Sequence, residues 1–204
     1  MTTRMAKYLG FAIFSGLLVL GVLPERTTVK AREPSSPESA FGTYVDAKGN
    51  ITLPPNFLID WPSMGSWSVL ENGTIADIHN VYAPRSVIEY YRKNHEFPDG
   101  AIIVKEVRHA RGAPHTTGEA FWVDDVKVWF VMVRDRQGRF PENPLWGEGW
   151  GWALFKGGDP TKQVATNYKD DCLQCHVPAK DNEWIYVYAY PVLGDDVVKH
   201  APPR

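Results

Sequence analysis

The only two cysteines among the 204 residues stand in one run, Cys172-Leu173-Gln174-Cys175-His176. Two thiols three positions apart lie within about one helical turn. Each can reach one vinyl group of a porphyrin while the next residue turns its imidazole to the iron. This is the Cys-x-x-Cys-His spacing of covalent haem attachment. Three other chemistries use the same residue types. A thioredoxin-like redox pair needs a βαβ setting, whereas this run sits late in a chain of mostly β character. A zinc site needs further ligands, and His109 and His115 are isolated and distant in sequence. A structural disulfide is the plainest alternative, but a chain of this length buries a core without staples. The histidine that completes the run favours haem. The expected cofactor is therefore one haem c held by Cys172 and Cys175, with His176 as the metal ligand.

Thioether attachment follows export, and the amino terminus has the form of an export signal. Arg4 and Lys7 precede an uncharged apolar stretch over residues 9–23, the n-region and h-region of a signal peptide. Fifteen residues of helix reach roughly 22 Å, short of the roughly 30 Å core of a bilayer. Val29 and Ala31 have the spacing for a cut after Ala31, without a clean Ala-x-Ala. The alternative is an uncleaved signal acting as an amino-terminal anchor. Both readings place the domain in the periplasm. Cleavage would remove Arg4, Lys7, Arg26, Lys30 and Glu25, taking the formal charge from −2 to −5 and leaving 173 residues. Neither charge offers a footprint for nucleic acid.

With 44% hydrophobic and 23% charged residues, the chain is too apolar for a disordered protein. The Pro-, Ser- and Glu-rich residues 32–40 read as a tether, and no second composition shift follows. The expected organisation is a signal or anchor over 1–31, a tether over 32–40 and one domain over 41–204.

The elements that must position the motif are mostly strands. Residues 101–109 alternate, with Ala101, Ile103, Lys105 and Val107 on one face and Ile102, Val104, Glu106 and Arg108 on the other. Alternation alone leaves open which face is inward. Residues 119–123 and 126–134 are β-rich runs around Asp124-Asp125, the pattern of a hairpin. Residues 150–155 and 184–193 add two strands, the second with tyrosines at 186, 188 and 190. Residues 84–94 predict a helix with proline in its first turn and Val87, Ile88 and Tyr91 on one face. A second helix is expected from Asp159-Pro160 through Val164, Ala165 and Tyr168 toward the cysteines. The fold class is α+β, mostly antiparallel β-sheet with a few short helices, one leading into the haem motif.

The aromatic residues Trp122, Trp129, Phe130, Trp150, Trp152 and Tyr188 suit either a β core or the flat faces of a porphyrin. The sixth iron position is open to two readings. Met64, Met132, His79, His95, His109 and His115 are candidate ligands without a motif around them, and a closed site would suit an electron carrier. An open distal side would admit small nitrogen or oxygen species.

The order of several motifs carries a resemblance. Gly49-Asn50-Ile51-Thr52-Leu53-Pro54, Val81-Tyr82 before a short helix, Phe97-Pro98-Asp99-Gly100, Val104-Lys105-Glu106, the haem motif and Tyr190-Pro191-Val192-Leu193 follow one another. In this combination the chain resembles the cytochrome P-460 family of periplasmic c-type haem proteins. The resemblance implies a mostly antiparallel β fold, a homodimer, His176 as proximal ligand and an open distal side. It also implies a role for Lys105. In catalytic members the lysine of this element is bonded through its amine to a porphyrin meso carbon, tuning the haem for oxidation of hydroxylamine toward nitrous or nitric oxide.

A lysine on an inward face would be desolvated and its pKa depressed, making the amine a nucleophile. One feature departs from the catalytic pattern. Where those relatives carry a distal carboxylate, the best register across residues 121–133 places Phe130, and a register shifted by a residue or two would let Asp124, Asp125 or Glu119 supply the carboxylate. The related cytochrome c′-beta branch caps its distal pocket with phenylalanine, binds nitric oxide and lacks the cross-link. The chain thus reads as an exported mono-haem protein. Its expected activity is oxidation of hydroxylamine or a related small nitrogen species, with electrons passed to a periplasmic carrier. Nitric oxide binding without turnover, or simple electron carriage, are the alternatives.

Overall fold

The alternation over residues 101–109 is realised in a long central strand, and the rest of the fold is laid out around it. The structure, a computed structural model, describes residues 39–195. The expected signal, most of the tether and residues 196–204 lie outside the described residues. Seven strands form one antiparallel sheet: β1 (Ser63–Glu71), β2 (Thr74–Tyr82), β3 (Ile102–His115), β4 (Gly118–Arg134), β5 (Trp146–Gly147), β6 (Trp150–Lys156) and β7 (Asp159–Gln163). Their order is β1-β2-β3-β4-β6-β5, and β7 pairs with the other end of β6. The helices are α1 (Phe57–Asp60), α2 (Arg85–Asn94) and α3 (Tyr168–Asp171), and α3 leads into the haem motif. The fold is α+β with an antiparallel sheet, as expected.

Both faces of the sheet are covered, because successive residues of a strand point to opposite sides. On one face Val81, Ile103, Met132, Trp150 and Trp152 pack with α2 and with the carboxy-terminal residues Tyr168, Cys172, Ile185, Tyr190 and Leu193. This is called the motif face below. On the far face Ile102, Val104, Val131, Val133, Ala153 and Phe155 pack with the amino-terminal segment through Ala40, Val45, Ile51 and Phe57. Ala40, placed in the tether by composition, is buried, and its N–H donates to Gly100 O at 2.9 Å. The helix over 84–94 is present as α2, with Val87, Ile88 and Tyr91 buried.

Three local expectations are corrected. Asp124-Asp125 makes no turn, since β4 runs through it with only a bulge in its pairing to β3, and the turn is Thr116-Thr117, closed by the His115–Gly118 pair. Gly118 supplies the positive φ of 117° that neither aspartate adopts. Asp159-Pro160 starts a strand, because Gly157-Gly158 closes a two-residue hairpin between β6 and β7. The Asp159 carboxylate accepts from Thr161 N and Oγ1 and caps that turn. Residues 184–193 are two 3₁₀ turns, Val187–Ala189 and Pro191–Leu193, because Trp184 is left-handed and Pro191 has no N–H for a ladder. The tyrosine row therefore wraps an indole, with Tyr186, Tyr188 and Tyr190 all within 6.3 Å of the Trp67 ring.

Beyond His109, the last β3 residue paired with β2, the β3–β4 pair continues as a ribbon that no third strand supports. Phe121, Trp122 and Val123 are exposed on it.

The turn after β4 joins the Phe97-Pro98-Asp99-Gly100 motif to the sheet. Asp99 takes a bidentate pair from Arg139, and Arg136 donates twice to Phe97 O. Buried Asp135 accepts from the N–H groups of Gln137, Gly138 and Arg139 and from the Arg139 guanidinium. Asp135→Ala strands these donors. It is expected to lower unfolding free energy by about 3 kcal/mol, read as a lower denaturant midpoint at unchanged slope.

Candidate haem site

The pairing register sets the wall of the site. Across the motif face, Val81 of β2, Lys105 of β3, Phe130 of β4 and Leu154 of β6 are successive cross-strand partners. In the next row Ile103, Met132 and Trp152 do the same. Lys105 therefore lies on the side that carries the cysteine motif, with its Nζ 4.4 Å from the centre of the Phe130 ring. Burial lowers its pKa from the ordinary lysine range, and nearby Cys175 and Cys172 oppose the shift.

Facing this wall is the motif segment. Asn167 caps α3, its side chain accepting from Lys169 N at 3.0 Å. The buried Tyr168 ring stacks on Trp152 at 6.1 Å. Gly147 makes room for that ring, since a Cβ there would collide with it. The helix ends at Cys172, and a 3₁₀ segment, Leu173–Asn182, carries Cys175 and His176. Both cysteines are free thiols, Cys172 buried and Cys175 exposed. Among the described residues no three His, Cys, Asp or Glu side chains converge as a metal cluster.

His176 is held from several sides. Its Nδ1 lies 2.6 Å from Trp184 O; a carbonyl only accepts, so Nδ1 carries the hydrogen and Nε2 keeps its lone pair. Trp152 meets the imidazole edge-on at 5.1 Å and Tyr186 lies at 5.9 Å. The Tyr186 hydroxyl donates to Cys175 O. Burial pushes the His176 pKa down to about 4, against the bond to Trp184. The ring is neutral at pH 7.

Between wall and motif lie two crevices that share Lys105, Phe130, Met132 and His176. One, of about 30 Å³, is closed by Ile185, Tyr186 and Tyr190. The other, of about 70 Å³, is closed by Trp152, Asp171, Cys172 and Cys175. A larger concavity of about 250 Å³, beside Trp146 and Glu148, contains none of the motif residues. All five expected site residues, Lys105, Phe130, Cys172, Cys175 and His176, thus come together.

Of the other candidate ligands and acids, Met132 alone among the described residues lines these crevices. Asp124 pairs with Arg111 on the ribbon, and Glu119 stands opposite Pro114 near its tip. His109 faces Asp77 and His115 meets Trp122. His95 ends α2. Met132 lines both crevices and His79 is diagonal to Lys105, whereas Met64 lies in the core of the same face. Trp129 belongs to the far face, bonded to buried Glu106. The partner that sequence reasoning missed is Trp184 O, since a backbone acceptor leaves no mark in residue types.

Burial, with Asp171 adding to it, also pushes the Cys172 thiol up to about 12. At pH 8 only about one thiol in ten thousand is then ionised. In the haem-free chain, iodoacetamide is expected to alkylate exposed Cys175 at least about ten-fold faster than Cys172, measured by peptide mass spectrometry.

Comparison with curated proteins finds no match. The family model described as Cytochrome P460 matches residues 59–187. That span covers more than half of the chain, from α1 through the haem motif to the Tyr186 wall. The chain belongs to the cytochrome P460 family and is a haem protein.

Proposed function

We propose that this chain carries one haem c, bound through thioethers at Cys172 and Cys175 with His176 on the iron. On this reading it is exported to the periplasm, where it oxidises hydroxylamine or a related small nitrogen species and passes the electrons to a periplasmic carrier. The observation that carries the reading is the position of Lys105, on the wall opposite His176 with its amine desolvated against Phe130.

The residues suit such a group. Two free thiols, a neutral imidazole with Nε2 unprotonated and an apolar wall are the donor set and lining that a c-type haem requires. The crevices are water-sized, so a macrocycle must part the Leu173–Asn182 segment from the sheet. Bound haem supplies one-electron chemistry at its iron. The chain supplies the rest. Desolvation favours the neutral Lys105 amine with its lone pair free; a bond from it to a porphyrin meso carbon would replace that carbon's hydrogen, with two protons and two electrons passing to an oxidant such as a peroxide. Phe130, Met132, Ile103 and Val81 form a wall that excludes water and admits small uncharged molecules. Exposed Phe121, Trp122 and Val123 support assembly as a homodimer through the ribbon.

A second reading, binding of nitric oxide without turnover, is favoured by the same wall. It has Phe130 where a proton-accepting carboxylate would serve catalysis. Asp171, the one acid among the described residues that line these two crevices, accepts from Thr166 N and Asn167 N.

Protease digestion of the holoprotein is expected to yield a branched peptide in which haem joins the Lys105 peptide to the Cys172–Cys175 peptide. Lys105→Ala is expected to give an ordinary c-type optical spectrum; a wild-type spectrum already identical to that of the variant would remove the cross-link. With hydroxylamine and an electron acceptor the wild type is expected to turn over, and Lys105→Ala to lose at least about ten-fold in kcat. Uptake of nitric oxide by the ferrous protein without any turnover would favour the second reading. Failure to bind nitric oxide or carbon monoxide would point to an iron closed by a side chain such as Met132, and to a carrier.

A further inference from the structure

Glu183 and Trp184 are consecutive residues with φ of 55° and 65°. A left-handed conformation is uncommon without glycine and disfavoured for a bulky indole. Such strain persists only where surroundings over-determine it. Here the surroundings are explicit. Glu183 Oε1 accepts from Arg134 Nη2 at 2.6 Å and from Arg136 Nη2 at 3.4 Å, and Oε2 accepts from Phe97 N at 2.9 Å. Arg134 is fixed in turn by Gly149 O at 2.9 Å and by the Trp150 ring, 5.2 Å from its guanidinium carbon. Arg136 is fixed by its two bonds to Phe97 O.

The outcome of the turn is the direction of one carbonyl. The Trp184 N–H closes back on Ala179 O at 2.9 Å, and Trp184 O faces His176 Nδ1 at 2.6 Å. The segment is otherwise tied to the sheet by side chains alone, since it belongs to no strand. A ligand imidazole takes its tautomer, ring plane and basicity from the acceptor on its other nitrogen. Whatever fixes Trp184 O therefore reaches Nε2.

We propose that Glu183 is a positioning residue for the iron ligand. Its ion pairs with Arg134 and Arg136 hold the left-handed Glu183-Trp184 turn that aims Trp184 O at His176, and so set the basicity and orientation of the imidazole. This rests on the reading of His176 as the iron ligand.

The test is resonance Raman of the ferrous holoprotein, together with its midpoint potential. Glu183→Gln keeps size and loses charge; Glu183→Gly removes the ion pairs while easing the backbone, and so remains informative if the first variant folds poorly. Both are expected to lower the iron–histidine stretching frequency and raise the potential. Arg134→Gln should do the same, and the double variant with Glu183→Gln should shift no further than either single one. Wild-type frequency and potential in both Glu183 variants would overturn the inference. The ligand reading is judged separately, by His176→Gly. Loss of the band there with no shift in the Glu183 variants defeats only the positioning role, whereas retention of the band defeats both.

Discussion

The structure depends on the two-residue alternation of β3, held in register by a core on each side of the sheet. Ile102 and Val104 belong to the far core and Ile103 to the motif core, so neither face can be given up to solvent. The adjacent residues Lys105 and Glu106 are thereby sent to opposite faces. Lys105 goes to the wall beside Phe130, and the buried Glu106 carboxylate to a pair with half-buried Arg108, 2.8 Å away, and a bond from Trp129. A slip of one residue would exchange them, placing an acid opposite His176 and an unpaired ammonium in the far core. The cost of that exchange protects the site without any interaction made by the site itself.

The motif segment is held by a different kind of force. A strand inherits its position from a ladder, but Leu173–Asn182 has none to inherit from. It is pinned at its start by the stack of Tyr168 on Trp152 and at its end by Glu183, with Tyr186 bonded to Cys175 O between. Few, directional contacts suit a wall that must admit a large planar group. The dense sheet opposite provides the fixed reference against which that wall is set.

Much of this was legible in residue types. The alternation of β3 and the apolar face of α2 are each local signals, and each appears where expected. The resemblance placed Phe130 on the distal side, but its pairing with Lys105 was not legible, because it depends on the register of two long strands whose turn lies at Thr116-Thr117 and not at Asp124-Asp125. The errors arose where a local signal had two readings. Asp159-Pro160 resembles a helix start, but the preceding Gly157-Gly158 had already committed the chain to a hairpin. The tyrosines at 186, 188 and 190 have strand spacing, yet Trp67, far away in sequence, gathers them around one ring. The left-handed Trp184 lay beyond reach for the same reason, since its cause is a carboxylate answering guanidiniums some fifty residues earlier.

The ribbon formed by the outer halves of β3 and β4 has a consequence for how the molecule comes apart. A two-stranded antiparallel pair is marginal on its own in water. Past His109 this one relies on an exposed Arg111–Asp124 pair, the Trp122–His115 contact and a Phe121 ring laid over Gly112. Exposed pairs of that kind contribute little. In a single copy the ribbon is therefore the part of the sheet expected to open and reclose first, and pairing with a second copy would close it. Local opening is expected at the end of the hairpin away from Lys105, whereas the wall facing His176 lies in the inner rows, which are paired on both sides.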